Sequence, residues 1–222
     1  MKHDCIVALS GGVESTALLH YLIQKGRKPF CFHYEAAGCN QSAAEFIREL
    51  KQHYDVPVVT CEFGYVTPDQ NVPVLDWDDT ELTWAESTDI RWAPPDLWLW
   101  CMIAHNIQSF NPSIHDIYYG ASYGGLLKRG DDEGDHHHPY LENCINGIEQ
   151  MSASLGLEVK YSAPLGEYTK YEQFSWIPEI FHDKIWSCVG DTNSEKQCGQ
   201  CSKCNDLEMV KNKYKSVTSN IT

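Results

Sequence analysis

Two short stretches of this sequence hold residue types at spacings that suit chemistry. In "SCVGDTNSEKQCGQCSKC", residues 187–204, Cys188, Cys198, Cys201 and Cys204 form the pattern C-x9-C-x2-C-x2-C. A thiolate tetrad matches the tetrahedral sulfur ligation of structural zinc, and four protein ligands leave no open position, so the expected role is structural. Two alternatives stand beside it. The cysteines could be free thiols that happen to cluster, or a redox C-x-x-C, which normally opens a helix in a thioredoxin-like unit. Here two C-x-x-C pairs share Cys201.

The second stretch is "CIVALSGGVESTALLHYL", residues 5–22. A five-residue apolar run of strand length leads through glycines and small hydroxyl or acidic side chains into a helix-forming run with one apolar face. Such a turn aims the unpaired N–H groups of a helix start out of the sheet edge, where the helix dipole favours an anion and glycine lets it approach the backbone. The turn therefore reads as a phosphate cradle; the alternative is a strand-to-helix turn that uses glycine for tight packing. It differs from the P-loop G-x-x-x-x-G-K-[ST], because no lysine follows to reach the β- and γ-phosphates.

The elements that must position these residues alternate along the chain. Strands are expected at 28–35, 56–63, 116–120 and 158–165, and helices at 40–54, 96–110 and 139–156, the last ending at a glycine. Alternation of this kind implies a parallel sheet with right-handed crossovers. Residues 64–95 have no convincing period and exceed an ordinary connection, which suits a functional lid or a small insertion. The end, "KNKYKSVTSNIT", has the composition of a frayed tail.

Composition limits the function classes. The chain has 222 residues, 42% of them hydrophobic, and no apolar run of about 20, so a core-forming α/β domain without a membrane span is expected. The charged start "MKHD" leads into too short an apolar run for a signal peptide, and a cytoplasmic location is expected. A formal charge of −14 disfavours a broad nucleic-acid footprint, which needs a basic face. Ten cysteines without a secretory leader point to metal binding before a disulfide scaffold, and the six outside the tetrad are expected to stay reduced.

"SGGVES", residues 10–15, resembles the S-G-G-x-D-S pyrophosphate loop of enzymes that split ATP into AMP and pyrophosphate. "IWSCVGDTNSEKQCGQCSKC", 185–204, and "PLGEYTKYE", 164–172, together with that loop, resemble the 7-cyano-7-deazaguanine synthase family, in order and spacing over nearly the whole chain. The resemblance implies an α/β fold, a Rossmann-like doubly wound parallel sheet of about five strands with a small C-terminal zinc-binding segment. It implies a nucleotide-binding domain over 1–185, a four-cysteine zinc segment over 186–215 and a tail over 216–222. The implied cofactors are ATP, Mg2+ and Zn2+, with Leu9, Ser10, Gly11, Gly12, Val13, Glu14, Ser15 and Thr16 around the pyrophosphate. The implied reaction adenylates a carboxylate on a deazaguanine base, lets ammonia displace AMP, and activates the amide again to yield the nitrile. The implied partners are a small deazapurine acid and ammonia; composition and charge predict no membrane partner and disfavour a nucleic acid, and a homodimer is one expected assembly.

Glu14 stands at the family's aspartate position, one methylene longer. Lys170 is either a surface helix lysine or, by the resemblance, a phosphate contact. Two departures fall where substrate or ATP contacts are expected: Pro94-Pro95-Asp96-Leu97 in place of P-x-R-N, and Asp135-His136-His137-His138 in place of P-D-C-R. Arg91, Lys128 and Arg129 could supply charge from nearby, and His138 could stand in the pocket in place of arginine. "DDEGDHHHP" could otherwise be a second metal site or a solvated acidic loop. Trp77, Trp84 and Trp92 could stack on a base in the lid, whereas Trp98 and Trp100 suit a buried helix. Glu14, Lys170 and His138 are the candidate catalytic residues. Two other functions remain open: another adenylating enzyme of the same fold, such as a tRNA-modifying thiolase, and a non-catalytic nucleotide-binding descendant.

Overall fold

A computed structural model describes residues 3–36, 41–63, 113–129, 138–188 and 196–219. Five strands form one parallel sheet: β1 (Cys5–Ala8), β2 (Pro29–Ala36), β3 (Val58–Phe63), β4 (Asp116–Tyr118) and β5 (Lys160–Ser162), in the order β3-β2-β1-β4-β5. Successive side chains of a strand point to opposite faces, and β1 is apolar on both. Cys5 and Val7 enter one core with Cys31, while Ile6 enters a second core with Phe32, Ile117 and Tyr161. A strand that is apolar at every position can only sit inside a sheet covered on both sides.

The helices supply those covers. α1 (Val13–Gln24) and α2 (Gln41–Tyr54) bring Leu18, Leu19, Phe46 and Leu50 to the first core. α3 (His138–Ser154) covers the other face through Ile148. Two further helices join the first face, α4 (Lys170–Trp176) through Phe174 and α5 (Ser202–Thr218) through Leu207 and Val210. The expected doubly wound α/β sheet is therefore present.

Differences from the expected bounds have local causes. β5 covers only part of 158–165, because the chain turns immediately afterwards: Gly166 N–H donates to Ala163 O (2.9 Å) and Tyr168 N–H to Leu165 O (3.0 Å). The expected tail is largely helix. α5 continues to Thr218, so residues 211–218 are helix where a frayed tail was expected, held by the packing of Val210 in the core and of Tyr214 against it, with the Tyr214 hydroxyl donating to Glu179 (2.8 Å). Residues 64–112 and 130–137 lie outside the described residues, and with them the expected helix at 96–110, the lid, and the readings of Trp77, Trp84, Trp92, Trp98, Trp100, Arg91 and the 94–97 and 135–137 substitutions. Among the described residues no helix is long and apolar enough to cross a membrane.

The order β3-β2-β1-β4-β5 reverses direction between β1 and β4, and at such a switch point the crevice outside the carboxyl ends of the strands is where α/β sheets take ligands. Gly120, just past β4, lies against the start of α1 there. A Cβ on it would meet Glu14 C and Ser15 N at 2.5 Å, so only glycine permits this contact. Gly147, exposed on α3, meets nothing within 4 Å. Gly120→Ala is expected to cost about 1–3 kcal/mol by overpacking, and Gly147→Ala to add about 0.5–1 kcal/mol by removing a helix-interior glycine. Urea denaturation of the two variants checks both signs.

Candidate functional site

The turn between β1 and α1 is held by its own side chains. Ser10 N–H donates to Ser15 Oγ (3.2 Å), the Ser10 and Ser15 hydroxyls are 3.0 Å apart, and Gly12 N–H donates to Ser10 Oγ (3.3 Å). Gly11 has φ +83, the left-handed region that glycine occupies without strain. Its carbonyl accepts from Trp186 N–H (3.0 Å), which ties the turn to the segment leading into Cys188. Gly12 is the N-cap of α1, and no side chain caps it. In place of a cap, the Glu14 carboxylate accepts from its own backbone N–H in the first turn of the helix.

Of the eight residues expected around an anion, Leu9 and Val13 place their side chains in the core and contribute backbone alone. Ser10 is exposed, Ser15 is buried, and Thr16 is fully buried with its Oγ1 lacking a hydrogen-bond partner among the described residues. A buried hydroxyl without a partner is costly in a chain that otherwise satisfies its polar groups. An arriving anion would meet the exposed Ser10 hydroxyl and the positive end of α1, with the Ser15 and Thr16 hydroxyls buried just behind them.

Lys170 is neither a surface lysine nor alone. Its side chain is 7% exposed, and its ammonium lies 2.9 Å from Glu14 Oε1 and 3.3 Å from Asp206 Oδ2. α4 presents it through a capping box: Thr169 Oγ1 accepts from Glu172 N–H (3.0 Å) while Glu172 Oε2 accepts from Thr169 N–H (2.8 Å). Burial opposes the charge on Lys170, but Glu14 and Asp206 outweigh it and raise the lysine above its ordinary value. Burial likewise pushes the Glu14 carboxyl up, yet Lys170 and Lys203 hold it below the usual carboxylate range. Glu14 is thus an anion at the mouth of the turn, able to bind a magnesium ion if it releases Lys170.

The four expected zinc ligands come together. The Sγ atoms of Cys188, Cys198, Cys201 and Cys204 lie within 4.8 Å of one another, and all four thiols are free of disulfides. Zinc at about 2.3 Å from each sulfur needs edges near 3.8 Å, and Cys198 to Cys204 is already 3.9 Å. Cys198 N–H points at Cys188 Sγ (3.3 Å) and Cys201 N–H at Cys198 Sγ (3.4 Å), donors that suit thiolates. Backbone N–H groups of Gln200 and Cys201 hold the Cys198 thiol below its ordinary value. The donor set fits zinc. By contrast, Cys5 and Cys31 are buried in the sheet, which pushes their thiols up to about 12 and leaves them unreactive at neutral pH.

Other expected residues fall elsewhere. Arg129 faces Glu172 (3.7 Å) and the Tyr168 ring. His138 opens α3, and its side chain lies outside the described part. Two residues near the loop were missed by sequence reasoning. His33, buried on β2, donates from Nδ1 to Leu9 O (2.8 Å) and so steadies the carbonyl before the turn. Asp206 sits on α5, whose apolar spacing at Leu207, Val210 and Tyr214 was a readable helix signal obscured by the cysteines around it.

No family model matches this sequence. A 7-cyano-7-deazaguanine synthase from Caldicellulosiruptor bescii is 22% identical over 212 residues, which cover 90% of this chain and 89% of that protein. Among solved structures, a 4-thiouridine synthetase in complex with RNA and bound ATP superposes with a TM-score of 0.46 at 13% identity over 95% of this chain. The chain spans half the length of that synthetase chain, and a superposition at this level adds nothing to the fold read from strand order.

Two outcomes are expected of this geometry. Purified protein should carry about one zinc per chain, and a quadruple Cys→Ser variant at 188, 198, 201 and 204 should lose thermal stability, because metal-site assembly is coupled to folding; elemental analysis and calorimetry read both. Lys170→Met should destabilise the chain by about 1–3 kcal/mol at pH 7, less than the about 3–5 kcal/mol of a fully buried pair, since Glu14 and Asp206 keep 22% and 29% exposure. Glu14 titrates lower in the folded chain than its ordinary 4.5, so its contribution is present above that value and lost as pH falls through the folded value. The gap between wild type and Lys170→Met in urea denaturation should therefore shrink on acidification below about pH 4.5.

Proposed function

We propose that this chain is an ATP-dependent adenylating enzyme that converts a carboxylated deazapurine, 7-carboxy-7-deazaguanine or a relative, to its amide and nitrile with ammonia. The observation that carries the reading is the Ser10–Thr16 turn at the switch point of the sheet, with no side-chain cap from Gly12 and a buried Thr16 hydroxyl that has no partner among the described residues. A relative covering nine-tenths of the chain bears the name 7-cyano-7-deazaguanine synthase, which supports the substrate class.

The chemistry follows from what such a turn can hold. A carboxylate is a poor electrophile until one of its oxygens becomes part of a leaving group. A turn that grips the β- and γ-phosphates leaves the α-phosphorus open to in-line attack by that oxygen, with pyrophosphate departing. Ammonia then attacks the acyl carbon, and AMP departs with the former carboxylate oxygen. A second activation, now of the amide oxygen, removes it as AMP and leaves the nitrile. Bound magnesium would neutralise charge on the departing pyrophosphate. Ser10, Ser15, Thr16 and the α1 N–H groups bind the phosphates, Lys170 supplies the cation that the turn itself lacks, and Glu14 offers a carboxylate for the metal. The zinc segment is structural in this reading and holds Trp186 against Gly11.

The test is the fate of ATP. With ammonium and candidate deazapurine acids, the purified chain should release AMP and pyrophosphate; ADP as the product would overturn the reading. Gly12→Ala combined with Ser15→Ala should lower ATP affinity by at least about tenfold in isothermal titration, with the circular dichroism of the fold retained.

A further inference from the structure

We propose that Asp206 is a positioning residue for the nucleotide site: it retains the Lys170 ammonium at the turn when Glu14 is given up to a divalent cation. The inference deepens the proposed function and rests on its reading of the turn as a phosphate site. Lys170 is held by two carboxylates from two different helices, Glu14 at 2.9 Å on α1 and Asp206 at 3.3 Å on α5. Glu14 is the one on the phosphate turn, and its second oxygen, Oε2, lies about where a Cβ on Gly12 would touch it, 3.8 Å away. As long as Glu14 is the lysine's counter-ion, its carboxylate is committed to the lysine. Releasing it would strand a buried ammonium, which is costly unless another anion keeps it.

Asp206 is that anion. It reaches the lysine from a helix outside the turn, one whose N-cap is Cys201 and whose Cys204 belongs to the thiolate tetrad. α5 is anchored independently by Leu207 and Val210 in the core. The second carboxylate is thus fixed by the C-terminal segment rather than by the loop that must rearrange, and the charge exchange leaves Lys170 where an incoming phosphate could share it. Lys203, on the same helix, adds positive potential that favours the Glu14 anion.

The prediction separates positioning from mere stabilisation. Asp206→Asn keeps shape and a hydrogen-bond acceptor but removes the charge, so Glu14 becomes the sole carboxylate paired with the lysine among the described residues. Its MgATP dissociation constant in isothermal titration should rise about tenfold, the magnesium concentration for half-maximal ATP binding should rise with it, and Asp206→Glu should restore much of both. In nucleotide-free protein, the slowly exchanging ammonium signal of Lys170 in a nitrogen–proton NMR spectrum should be present in wild type and lost or broadened in Asp206→Asn. Unchanged MgATP affinity and magnesium dependence in a folded Asp206→Asn variant would overturn the proposal. So would a lysine ammonium signal indifferent to the substitution. Wild-type protein that shows the ammonium signal but binds no ATP would overturn the proposed function instead, which keeps the two failures distinct.

Discussion

A lysine whose side chain is 7% exposed has to be paired, and the way Lys170 is paired organises everything around the first turn. Its partners come from the start of α1 and from the first turns of α5, so one ammonium binds the phosphate-like turn, the short helix α4 and the cysteine-bearing segment into one unit. The ion pairs are worth only a few kcal/mol at most once desolvation is counted. Their larger effect is geometric. A carboxylate, an ammonium and a second carboxylate can satisfy one another only in a narrow set of positions, and those positions specify where α4 and α5 stand relative to the turn.

Apolar packing supports the same arrangement from below. Leu9 and Val13 bracket the turn and both are buried in the first core, so the chain enters and leaves the turn from fixed points. Gly120 lets the end of β4 lie against the backbone of Glu14 and Ser15 at a distance no side chain would allow, and His33 holds the carbonyl of Leu9. Trp186 N–H on Gly11 O closes the turn from the side of the cysteine tetrad. The backbone of the turn is therefore tied on several sides, while Gly12 offers no side-chain cap and Thr16 Oγ1 lacks a hydrogen-bond partner among the described residues.

Much of the architecture is legible in local pattern. The continuous apolar run at 5–9 announces a strand covered on both faces, and the alternation that follows announces a parallel sheet, because each strand needs a crossover of helix length to reach its neighbour. The weaker readings failed where sequence period and tertiary role part company. Residues 158–165 read as one strand although the backbone turns after Ser162, and residues 211–218 read as tail although Val210 and Tyr214 dock the helix that runs through them on the core. In both cases short apolar or polar stretches have no period of their own long enough to decide the outcome.

By itself, the sequence determined the donors: four cysteines at zinc spacing, a glycine- and serine-rich turn between a strand and a helix, and a lysine in the stretch 164–172. These are local features, settled by residue type and by neighbours a few positions away. Only the tertiary structure decided the partners. Cys188 reaches Cys204, Trp186 reaches Gly11, and Lys170 sits between Glu14 and Asp206, which lie near opposite ends of the chain. Such pairings depend on where helices pack on a sheet, and packing is decided by the sum of apolar faces along the whole chain rather than by any motif within it.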